Sequence, residues 1–119
     1  MNERILTIAL GSVLACLAPN GFSQTQIELN REAAADFEKA DAQLNDIYKR
    51  VLASATSVDE ERKQKLINAQ RAWLLFRDAE AEFEADEVRG GTAYPMEHDG
   101  VLTNLTEERV KTLRQFLSD

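Results

Sequence analysis

The sequence predicts an all-α protein: an antiparallel bundle of three main helices, about 26–55, 58–88 and 100–117, after an N-terminal signal segment. Three observations predict it. From Phe22 to Arg89 the chain contains no glycine and no proline, so only local capping can interrupt a helix there. Apolar residues recur at three- and four-residue steps, the spacing of one helix face rather than of a strand. Only 44 % of the 119 residues are hydrophobic, many of them alanine, which suits helices in close approach better than a sheet.

The first residues read as an address. Arg4 and the amino terminus give a weakly positive start, diluted by Glu3, and Ile5 to Ala18 is predominantly apolar. That run is shorter than the roughly 20 residues a membrane span requires. Pro19-Asn20-Gly21 then breaks the pattern, and Gly21 and Ser23 are small enough for the pockets of a signal peptidase. Residues 1–23 therefore read as a secretory signal cleaved after Ser23, leaving residues 24–119 as a single domain. The alternative takes Val13-Leu14-Ala15-Cys16 as a lipobox, with cleavage before Cys16 and its lipidation; only in that case is a membrane a partner.

The first helix opens on Thr25-Gln26-Ile27-Glu28, which has the form of a capping box. Ala33, Phe37, Ala40, Leu44, Ile47 and Val51 form its apolar stripe. A second capping-box pattern, Ser57-Val58-Asp59-Glu60, starts the next helix. Its stripe is expected through Leu66, Ala69, Trp73, Phe76, Glu80 and Phe83, with Gly90 and Gly91 as the stop. The stretch from Gly90 to Gly100, which includes Pro95, reads as the one long connection. Leu102, Leu105, Val110, Leu113 and Phe116 or Leu117 define the third helix.

Charge and composition exclude several functions. With 14 Lys and Arg against 21 Asp and Glu, the formal charge is −7, opposite to the basic footprint of a nucleic-acid binder. One cysteine admits no zinc finger, CxxC redox pair or intramolecular disulfide. The single His98 has Pro95 three residues before it, so the Glu-x-x-His ligand pair of a di-iron bundle is absent. No metal, cofactor or catalytic residue is expected. Asp78, Glu80, Glu82, Glu84, Asp86 and Glu87 crowd the last turns of the second helix, where the macrodipole is already negative. They are either a solvated face neutralised by nearby arginines or an acidic surface that meets a cationic partner. Arg77 and Asp78 are either a surface pair or a half-buried pair that pins the bundle's register, and Trp73 reads as core.

Several blocks carry a family resemblance. They are Leu29-Asn30, Ala40-Asp41-Ala42-Gln43-Leu44-Asn45 with Tyr48, and Gln70-Arg71-Ala72-Trp73 with Phe76-Arg77-Asp78-Ala79-Glu80. Arg89 to Pro95 and Leu105-Thr106-x-x-Arg109 follow in the same order. In these residues the chain resembles the LprI-like lysozyme-inhibitor family over about residues 25–117. The resemblance implies an exported, all-helical, non-catalytic bacterial domain, periplasmic or secreted or carried on a lipoprotein. It gives Gln70, Arg71, Trp73, Arg77 and Asp78 as motif positions, read here as architectural. It also implies cysteines near Glu32, Ala81 and Val101, which this chain lacks.

An acidic inhibitor is drawn to a basic lysozyme by long-range attraction, and its affinity comes from an anchor that fills the cleft. The expected contact set is the 89–100 loop, with Tyr94 presenting a ring, Glu97 and Asp99 carboxylates and His98 between them. Glu82 and Asp86 join it from the acidic run. The function expected is occlusion of a lysozyme cleft by an exported protein-binding domain. The alternative is an envelope adaptor or toxin-immunity protein.

Overall fold

The computed structural model describes the backbone of residues 14–56 and 59–117, and side chains from Thr25 onward with the exception of Thr56. Helix α1 runs Leu14–Thr56, α2 runs Glu60–Ala85 and continues as a 3-10 turn over Asp86–Val88, and α3 runs Tyr94–Arg114. There are three helices and no strand among the described residues, as expected for an all-α bundle. None of these helices is long and apolar enough to cross a membrane.

Helix α1 has 43 residues, about 64 Å at 1.5 Å per residue, and forms the spine. Its expected stripe is observed in its second half: Ala40, Leu44, Ile47 and Val51 are buried, with Ala55 continuing it, while Ala33 and Phe37 are half-buried. Helix α3 is its main partner and packs more extensively on α1 than on α2. Leu44, Ile47 and Val51 of α1 meet Val110 and Leu113 of α3, and Tyr48, Leu66, Trp73 and Leu117 close over this core. Leu117 covers the core, whereas Phe116 is exposed.

Three expectations about elements are corrected. Thr25 is not an N-terminal cap, because α1 extends back to Leu14 through Pro19-Asn20-Gly21. Pro19 lies inside that helix and supplies no amide to it, a departure from the usual place of proline in a first turn. Most of the leader, residues 1–13, lies outside the described residues, as does the side chain of Cys16. The second helix is capped by Asp59 rather than Ser57, its carboxylate accepting from the Glu61 amide at 2.9 Å.

The third helix begins at Tyr94, not near Gly100, so the long loop contracts to a turn at residues 89–93. Pro95 sits in the first turn, where its fixed φ suits a helix and its missing amide would be unbonded anyway. Gly90 adopts φ 78 and turns the chain out of α2. Asn30 of α1 donates to the Thr92 carbonyl at 2.9 Å and holds this turn against the spine.

Candidate interaction surface

Helix α2 decides how the site is built. Its inward face is Gln70, Arg77, Ala81 and Ala85, all buried, with Trp73 packed on the core. Ala69, Phe76 and Phe83, expected inside, are exposed. The helix is rotated from the expected phase because a guanidinium, not a phenyl ring, occupies the bundle's centre.

Arg77 is only 8 % exposed and reaches all three helices. Its Nε donates to Asp78 Oδ1 at 3.0 Å, and its Nη1 lies 3.4 Å from Asp41 Oδ1 on α1 and 3.4 Å from Thr106 Oγ1 on α3. Its Cζ is 5.2 Å from the Phe37 ring centroid and 5.4 Å from that of Trp73, within cation–π range. Trp73 is shared, since Arg109 Cζ lies 5.8 Å from its ring while Arg109 Nε donates to Gln70 Oε1 at 2.9 Å. Burial pushes the Arg109 guanidinium below its ordinary value. A buried charge is tolerable only when paired and hydrogen-bonded, and here two carboxylates, a hydroxyl and two π faces supply that. Gln70, Trp73, Arg77 and Asp78 therefore form an architectural cross-link; Arg71 is exposed and stands apart from it.

The expected contact residues fall into two groups. Tyr94, His98 and Asp99 are not on a free loop but on the first turns of α3, half-buried. Tyr94 stacks on His98 with centroids 5.6 Å apart, and His98 Nδ1 lies 3.5 Å from Asp99 Oδ1, so their surfaces are engaged with each other. Glu82, Asp86 and Glu97 are exposed. Asp86 and Glu97 come together in one shallow notch between the end of α2 and the start of α3, lined also by Phe83, Glu84, Glu87 and Val101. Arg89 is the local counter-charge, donating to both Asp86 oxygens at 2.7 and 2.6 Å. Those hydrogen bonds hold the Asp86 carboxyl below its ordinary value and raise Arg89. Among the described residues no group of three or more His, Cys, Asp or Glu converges so as to hold a metal ion. The carboxylates spread over a surface instead.

The sequence that builds these contacts matches a known family. The model of the lysozyme inhibitor LprI family matches residues 16–113. The chain belongs to the LprI family. It is also 34 % identical to an uncharacterized protein of Rhizobium meliloti (strain 1021), in an alignment covering 92 % of this chain and 92 % of that one. No solved structure matches it.

The LprI blocks of this sequence thereby acquire physical roles. Asp41, Gln70, Trp73, Arg77, Asp78, Thr106 and Arg109 meet in one network that joins the three helices, and Asn30 holds the α2–α3 turn. Ala81, a position where the resemblance implies cysteine, is fully buried against the bundle. Leu75, not singled out in the sequence, and Phe76 and Phe83, expected inside, are exposed by 74, 50 and 73 %. A signal for them exists in the chain: α2 carries two stripes at helical spacing, and only one can face inward.

Proposed function

We propose that this LprI-family protein is exported and inhibits a basic lysozyme by binding across its substrate cleft, stoichiometrically and without turnover. The observation that carries the reading is the family match over residues 16–113, in a chain with a formal charge of −7 and carboxylates gathered at one end of the bundle. Charge of that sign raises the rate of encounter with a cationic enzyme, and the effect fades as salt screens it. The leader supports export, with cleavage after Ser23 giving a periplasmic or secreted protein and cleavage before Cys16 a lipoprotein.

The test is clearing of peptidoglycan by several lysozymes at about 0.15 M salt, where charges more than ~8 Å apart are largely screened. Inhibition that titrates to a 1:1 endpoint supports the reading. Absence of inhibition, or inhibition confined to about 0.01 M salt, where attraction between charges still acts over ~30 Å, contradicts it. An envelope adaptor or immunity protein would then be sought by pull-down from the cell envelope. Mass spectrometry of the exported protein separates an N-terminus at Gln24 from a lipidated Cys16.

A further inference from the structure

Among the described residues, no helix of the bundle covers the outward face of α2. Ala69, Ala72, Phe76, Ala79 and Phe83 are all exposed and follow one another at steps of three, four, three and four residues. That is the spacing of a helix seam meeting another surface. Leu75 widens it, and Phe83 is 73 % exposed. Two exposed phenyl rings two turns apart, flanked by an exposed leucine, are more apolar surface than scattered single residues would give.

The rim identifies the occupant by charge. Glu80 lies four residues after Phe76 and three before Phe83, and Asp86 and Glu87 lie three and four after Phe83. On a helix these are the immediate neighbours of the two rings. Asp86 and Glu87 also share a notch with Phe83, to which α3 adds Glu97. A second copy of this chain docked in parallel would set these carboxylates against their own images, at a cost for every like-charged pair. A cationic protein would instead place its Lys and Arg side chains beside them while covering the rings.

We infer that the outward face of α2, with Phe76 and Phe83 as anchors and Glu80, Glu87 and Glu97 as its charged rim, is the surface that docks on the basic lysozyme. This rests on the lysozyme reading above and moves the contact from the Tyr94–Asp99 segment to α2. A helix face laid into a groove uses anchors at such spacing, and aromatic anchors carry much of an interface's affinity. Tyr94 and His98, stacked on each other, are then support for the rim.

The experiment uses the full-length gene product purified after export and its binding to an immobilised basic lysozyme at about 0.15 M salt. Phe76→Ser with Phe83→Ser is expected to weaken binding at least about 30-fold, mainly through faster dissociation. Phe83→Ser alone provides a milder change, and circular dichroism checks that the helices persist in both. Phe116→Ser, equally a removal of a half-exposed ring but at the far end of α3, leaves binding within about twofold. Glu80→Gln with Glu87→Gln slows association and flattens its salt dependence. If the wild-type protein binds and the double serine variant binds equally well, the surface assignment falls while the inhibitor reading stands. If the wild-type protein binds no lysozyme, the inhibitor reading falls and takes this assignment with it. A dimer in sedimentation that Phe83→Ser dissolves would place a second copy on this face and overturn the assignment.

Discussion

Arg77 is the residue on which the bundle turns. Removing its side chain forfeits two cation–π contacts and the links to Asp41 and Thr106, and leaves a void bounded by Phe37 and Trp73. Asp41 and Asp78 keep access to water, so no stranded buried carboxylate adds to the loss. We expect Arg77→Ala to destabilise by about 2–4 kcal/mol, less than the 3–5 kcal/mol of a broken pair buried on both sides. The check is the urea midpoint, with the slope unchanged. Arg77→Lys is expected to recover only part of this, since an ammonium cannot lie flat between two rings and bond two helices at once. At Asp86 the sign of the pH effect follows from its lowered pKa. The Arg89 pair contributes above the ordinary carboxyl value of 3.8 and is lost as pH falls through the lowered folded value. Titration of Asp86 followed by NMR should show a midpoint below 3.8 that rises towards it in Arg89→Ala.

The elements differ in how legible they are. The stripes of α1 and α3 can be read from the chain because their inward residues, Thr106 excepted, are apolar and regularly spaced, from Ala40 to Val51 and from Leu102 to Leu113. The phase of α2 cannot, because hydrophobicity points to Phe76 and Phe83 while the bundle buries Gln70 and Arg77. Periodicity assigns polar residues to the outside, and only the carboxylate, hydroxyl and rings contributed by other helices make the buried guanidinium acceptable. The start of α3 is hidden for a local reason, since Pro95 and Gly100 read as breakers although one begins the helix and the other is tolerated within it. Gly90 gives the element-scale prediction. Its φ of 78 suits glycine, and a Cβ there would meet nothing within 4 Å. Gly90→Ala should therefore cost only the backbone term, about 1–2 kcal/mol, seen as a lower melting temperature with unchanged lysozyme inhibition.

At the scale of the whole molecule, charge and family carry the proposed function and the fold carries the proposed site. The net charge of −7 and the acidic end of α2 are visible in the sequence, and so is the LprI resemblance that the family match supports. The contact surface is less visible, because it depends on which side of α2 faces out and on α3 bringing Glu97 beside Asp86. Tyr94 looks available in the chain only because its segment reads as a loop; folded into α3, it is half-buried and stacked on His98. Binding should weaken with rising salt in its association rate while dissociation, set by the apolar anchors, changes little. The measurement that tests the central claim most directly is calorimetric titration of the exported protein into a basic lysozyme at about 0.15 M salt. The account predicts a saturable 1:1 isotherm with a negative heat-capacity change from buried rings. No saturable heat at that salt, with binding appearing only near 0.01 M, would contradict it and reduce the interaction to unspecific attraction of opposite charges.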